Sequence, residues 1–245
     1  MDCQYSATSN RIDYIDAMKG IAILLMIYNH VSLTGLEINR FIGVFHMPLF
    51  FLISGYLYKH RSMPDLIIKN CRKILLPYLT TCIIIFILSC LLGNNYNWFL
   101  SIIWGNSKPL NIFNYVDLSV GPLWFLTAFF AAMVYCNLLY RIKNKLVKWT
   151  ILLVTFSLSV FQVQMNGVLL PFGMTTGLGG AVFVMAGIEF KNHSFNDFDK
   201  RYKILFAIIW VLCVVFGNCA MSWHIYRLNV LQIVGGILVH IFAIL

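Results

Sequence analysis

The chain has 245 residues, 60% of them hydrophobic and only 11% charged, against roughly 45–50% apolar and 25% charged in ordinary soluble domains. A soluble core cannot absorb that excess, and apolar runs of about 17–22 residues recur along the chain, each near the ~20 needed to cross ~30 Å of hydrocarbon as a helix. A formal net charge of +9 would suggest nucleic acid in a soluble protein, but the Lys and Arg residues fall in the breaks between apolar runs, so no nucleic-acid partner is expected.

The N-terminus, MDCQYSATSNRIDYID, is polar and acidic before a long first span, without the short apolar region and small-residue cleavage site of a signal peptide. The first helix is therefore expected to stay in the mature protein. Apolar patterning predicts helices at roughly 15–36, 41–58, 75–92, 120–140, 149–164, 169–189, 203–222 and 228–245. The expected fold class is all-α, a polytopic integral membrane helical bundle of about eight transmembrane helices, with residues 1–245 forming a single domain. Between the third and fourth spans lies NNYNWFLSIIWGNSKPLNIFNYVDLSV, whose Asn, Ser and Pro residues bracket a short amphipathic YNWFLSIIW expected to lie at the membrane interface. The sequence stops at VGGILVHIFAIL, inside an apolar run, which reads as a shortened or C-terminally incomplete chain.

Basic residues by loop set the orientation. Lys59, Arg61, Lys69, Arg72 and Lys73 follow span two, Arg141, Lys143, Lys145 and Lys148 follow span four, and Lys191, Lys200, Arg201 and Lys203 follow span six. The other side has Arg40, Lys108 and Arg227. The N-terminus and the loops after even-numbered spans are thus expected to be cytoplasmic. Span six, PFGMTTGLGGAVFVMAGIEF, carries Gly173 and Gly177 at GxxxG spacing, with Gly179, Gly180, Ala181, Ala186 and Gly187 following. Close helix packing is the expected use of these small residues. The seven cysteines are scattered, mostly within apolar runs, and read as free thiols.

Ionisable groups within spans are the informative exceptions, since one at the bilayer centre costs about 2.5–3.5 kcal/mol and usually faces a polar cavity. Span one has Lys19 and His30, and span two has His46. His30 is eleven positions after Lys19, which returns them to nearly the same helix face, about 16 Å apart along the axis. Reflecting residue 30 through a short 37–40 connection lands near residue 47, so His30 and His46 are expected at similar depth. Lys19 alone is also explained by snorkelling or by pairing with Asp16, and a lone histidine by a structural hydrogen bond. A neutral imidazole can nevertheless take a proton from a hydroxyl near neutral pH, which makes His30 a candidate general base. Asp117, Glu37 and His224 lie in loops and supply no third ligand beside the two histidines, so no metal is expected.

These same residues resemble acyltransferase family 3, the membrane O-acyltransferases, and especially its fucose 4-O-acetylase-like branch. In RIDYIDAMKGIAILLMIYNH, Lys19, ten intervening positions and His30 match that family's first-helix pattern, and FHMPLFFLISGY, Phe45 to Tyr56, matches its second-helix signature. KNCRKILLPY, Lys69 to Tyr78, is similar to the basic stretch entering its third helix, and GPLWFL, Gly121 to Leu126, to its later tryptophan motif. The motifs cover about the first 130 residues; beyond them only the pattern of spans agrees, and family members usually have more helices, around ten.

The resemblance implies transfer of an acyl group, commonly acetyl from acetyl-CoA, to a hydroxyl of an envelope or secreted carbohydrate, itself lipid-linked in one version of the reading. His30 would be the essential base, with His46 orienting it or binding the acceptor. Lys19, Lys69, Arg72 and Lys73 would take the coenzyme's phosphates, and Trp124 and Asn29 would bind the acceptor. The implied setting is the cell's cytoplasmic membrane, with the lipid bilayer and the carbohydrate acceptor as partners. Two other classes stand beside this one. A transporter or flippase for a lipid-linked sugar would line its path with Lys19, His30 and His46 but would show inverted repeats or matched broken helices, and none is visible. An assembly protein would use the Gly-rich span six but leave the span-one residues without purpose.

Overall fold

The computed structural model describes residues 13–31, 36–93, 99–107, 110–112, 115–117, 119–164, 170–191, 218–221 and 225–227. Helix α1 (Asp13–Val31) starts with Asp13 and Asp16 in its first turn, where the helix dipole favours acids. It is followed by α2 (Leu36–Tyr56). Next come α3 (Met63–Asn70), a π-helical turn (Cys71–Leu75) and α4 (Leu76–Leu91), which form one continuous helix. A short α5 (Phe99–Trp104) and a hairpin of β1 (Leu110–Ile112) and β2 (Tyr115–Asp117) lead to α6 (Trp124–Tyr140). Helices α7 (Lys145–Gln164) and α8 (Met174–Lys191) follow, then a second hairpin of β3 (Asn218–Ala220) and β4 (Ile225–Arg227).

Helix α8 is the centre of the bundle, packed by α2, α6 and α7, and every residue from Gly179 to Ile188 is buried. Its small residues explain how. A methyl on Gly177 would stand 2.7 Å from the Ala131 side chain of α6, and one on Gly180 would run into the Phe51 ring of α2. Small side chains let backbones approach where lipid gives no hydrophobic drive for association, which is the packing use expected for span six. Helix α1 packs on α2, with Ile15, Met18 and Ala22 clustered against Leu49 and Ile53.

The outside is apolar as well. Leu24, Ile27 and Val31 on α1, Ile83, Ile84, Ile87 and Leu91 on α4, and Leu153, Val154 and Leu158 on α7 are all exposed, an arrangement that hydrocarbon tolerates and water does not. Among the described residues, two helices are long and apolar enough to cross a membrane, Met63–Leu91 and Gly121–Tyr140. The first has 29 residues, about 43 Å at 1.5 Å per residue, so its basic beginning overhangs a ~30 Å core.

Several expectations need correction. The helix expected to begin at 75 begins at Met63: Ser62 caps it by accepting from the Asp65 backbone N–H, and a proline stands in its first turn, a start signal that charge density had hidden. Segment 99–104, expected at the membrane interface, is a short helix tied to the bundle by hydrogen bonds. Tyr78 Oη donates to the Ile102 carbonyl (2.7 Å), the N–H groups of Phe172 and Gly173 donate to Ile103 and Trp104 (3.0 and 2.8 Å), and Ser101 is buried. The helix expected over 203–222 is replaced at Asn218–Ala220 by β3, which pairs Cys219 with Tyr226; Gly217 and Asn218 are poor helix formers. The remainder of that helix, and the helix expected over 228–245, lie outside the described residues.

Candidate active site

Three basic loops converge at one end of the bundle. Lys191 at the end of α8 donates to the Tyr58 carbonyl (3.1 Å) in the loop after α2. The same loop is tied to α6, because Tyr58 Oη donates to Asn137 Oδ1 while Asn137 Nδ2 donates to the Arg61 carbonyl (3.4 Å). His60 stacks on Tyr140 with ring centroids 4.9 Å apart. Lys145 and Lys148 of α7 both reach Glu189 of α8 at 3.3 Å. Burial, with smaller contributions from Cys136 and Tyr140, pushes the Tyr58 phenol from its ordinary 10.0 up to about 12. Among the described residues, basic groups that the charge-by-loop pattern assigned to one side of the membrane, Arg61, Lys148 and Lys191 among them, share one end; Lys200, Arg201 and Lys203 lie outside the described residues.

Lys69, Arg72 and Lys73 stand at this end, on α3 and the π turn. The inward stripe of this helix is Leu66, Asn70, Ile74, Tyr78 and Cys82, a strict four-residue spacing. On a 3.6-residue helix each such step drifts by about 40°. The wider π turn at Cys71–Leu75, just before Pro77, takes up part of that drift and holds the stripe on the core. Arg72 and Lys73 are left exposed and Lys69 partly so, and among the described residues none of the three has an acidic partner. Such a surface is suited to a polyphosphate.

Lys19 lies on α1, its side chain 38% exposed and 3.3 Å from Asp16 one turn earlier. The pairing foreseen as the plain explanation of Lys19 is present, and exposed pairs of this kind contribute little to stability. His30 and Asn29 lie in the last turn of α1; their side chains are outside the described residues.

His46 is 4% exposed, and its Nδ1 lies 2.6 Å from the Ile42 carbonyl. A carbonyl only accepts, so Nδ1 carries the proton, and in the neutral ring Nε2 is the acceptor nitrogen. The similar depth expected for His30 and His46 is not observed. Helix α1 ends at Val31 and α2 begins at Leu36, and Ile15, Met18 and Ala22 of the one cluster with Leu49 and Ile53 of the other, which sets His46 level with Ile21 and Ala22. That is about nine residues, or ~13 Å, from His30 along the axis.

Trp124 is 5% exposed, its indole edge-on to Phe125 at 6.1 Å between centroids. Trp124, directly after the 3₁₀ turn Gly121–Leu123, is part of the core at the start of α6. Among the described residues no three His, Cys, Asp or Glu side chains come together as metal ligands. Sequence reasoning missed Tyr58, Asn70 and Asn137. The signal for the asparagines was there: a polar amide among apolar neighbours at helical spacing, which is buried only with a purpose.

No curated protein and no solved structure matches the chain. The family model for the acyltransferase domain matches residues 12–245. That range runs from the start of α1 through the basic end and beyond it, and with the apolar helices it establishes a membrane acyltransferase fold: the chain belongs to acyltransferase family 3.

Proposed function

We propose that the chain is an O-acetyltransferase of the cytoplasmic membrane, near the fucose 4-O-acetylase-like branch of its family. It would move acetyl from acetyl-CoA to a hydroxyl of an envelope or secreted carbohydrate, free or lipid-linked. The observation that carries this reading is the basic end of the bundle, where Lys69, Arg72 and Lys73 are cations without acidic partners among the described residues. A charged nucleotide cannot enter hydrocarbon cheaply, but a thin neutral arm can thread between helices. Phosphates held at the basic end would send the acyl group along the Lys19–His30 side of α1, a span of about 16 Å.

His30 then removes the acceptor's hydroxyl proton as the oxygen attacks the thioester carbonyl. The carbon–sulfur bond breaks, the coenzyme leaves as its thiolate and takes up a proton, and the imidazole returns to its neutral form. The positive-inside pattern supports a cytoplasmic N-terminus and basic end, on the side where the donor would be. Asn29, beside His30, is the acceptor-binding candidate. His46 serves at a different level of the hairpin and is not part of the proton transfer.

The test is release of free coenzyme A thiol from acetyl-CoA by membranes carrying the chain, with and without glycan extract. Acceptor-dependent release supports transfer. Movement of a lipid-linked sugar across the bilayer with no thiol released would favour the flippase reading.

A further inference from the structure

Asn70 is the one interruption in an otherwise apolar or aromatic inward stripe. Leu66, Ile74, Tyr78 and Cys82 fill the positions before and after it, and Asn70 itself is 7% exposed. Its Nδ2 has no hydrogen-bond partner among the described residues. A buried donor left in this way costs about 1–3 kcal/mol, and a leucine or alanine would avoid the cost while making a better helix. Two further observations bear on this amide. Lys69, Arg72 and Lys73 surround it in sequence and have no acidic partner among the described residues. The helix also widens immediately after it, with the Leu76 N–H donating five residues back to the Cys71 carbonyl.

An uncharged donor among cations suits an uncharged acceptor. Exposed ammonium and guanidinium groups take phosphate oxygens, whereas a buried amide N–H is matched by a carbonyl oxygen that enters the bundle without charge. We infer that Asn70 is a donor-binding residue whose amide N–H holds a carbonyl of the coenzyme's pantetheine arm where that arm leaves the basic surface. This rests on acetyl-CoA as the donor. Phosphates and arm would then be read by successive turns of one helix, outside by Lys69, Arg72 and Lys73 and inside by Asn70.

The test compares the wild type with Asn70→Leu and Asn70→Asp in lipid nanodiscs, by thermal melting with and without coenzyme A and by acetyl-transfer kinetics. Without ligand, Asn70→Leu melts no lower than the wild type, because an orphaned donor has been removed. Coenzyme A protects it less, and KM for acetyl-CoA rises on the order of tenfold with kcat little changed. Asn70→Asp, similar in shape but unable to donate when ionised, also raises KM; it keeps the comparison if the leucine variant does not accumulate. A leucine variant that melts lower while keeping its KM makes Asn70 a structural residue and overturns the inference. A wild type that coenzyme A neither protects nor supplies with acetyl groups overturns the donor reading beneath it.

Discussion

A methyl group on Gly187 of α8 would overlap the Leu52 carbonyl of α2, so the two helices touch backbone to backbone at this point. Gly55 makes the reciprocal contact with the Val184 carbonyl. In both cases the obstacle is main chain, which cannot turn aside as a side-chain tip can. Gly187→Ala and Gly55→Ala should each destabilise the bundle by about 1–3 kcal/mol. Gly20, where an added methyl would meet nothing within 4 Å, is the contrast; Gly20→Ala should be neutral or stabilise by up to about 1 kcal/mol through helix propensity. Melting in mild detergent reads all three.

Replacing Lys69, Arg72 and Lys73 together with glutamine should raise KM for acetyl-CoA on the order of tenfold to a hundredfold, with a smaller effect on kcat. The wild-type KM should rise with added salt, and that dependence should flatten in the variant. An unchanged KM at low salt would remove these residues from the donor site.

Tyr58 binds the loop after α2 to Asn137, which is fully buried. Tyr58→Phe leaves the Asn137 carbonyl oxygen without its donor and should cost about 1–3 kcal/mol. The phenol also titrates later in the folded protein than in the unfolded chain, about 12 against 10.0. Its contribution is therefore complete below pH 10 and lost as pH rises through 12. Melting temperatures between pH 8 and about 12 should converge for the two proteins as the wild type loses this advantage.

His46→Phe tests the separation of the two histidines along the hairpin. The pH profile of kcat/KM should keep the limb that reports the base, because the substituted ring lies ~13 Å from His30 along the axis. Loss of that limb would mean that His46 is the proton acceptor.

How much of this was legible in the sequence differs from part to part. Several helices were, because apolar runs such as 149–164 lie within the observed Lys145–Gln164. The packing of α8 was too, because glycine at GxxxG spacing has few other uses in an apolar span. Charge by loop foretold that Arg61, Lys148 and Lys191 share one end. Hydropathy misled at polar helix ends: Glu37, Asn39 and Arg40 were read as connection although α2 begins at Leu36. Together with a first span carried to 36, five residues past the end of α1 at Val31, that error put His46 opposite His30. Burial of Trp124 and the unpartnered amide of Asn70 depend on neighbours from distant parts of the chain, which no local pattern contains.

The central claim is that His30 takes the acceptor's proton in an acetyl transfer. Its most direct test is incorporation of label from radiolabelled acetyl-CoA into envelope glycans by membranes carrying the chain or its His30→Ala variant at equal level. Incorporation by the wild type that falls by at least on the order of a hundredfold in the variant is the predicted result; incorporation that survives the substitution would contradict it.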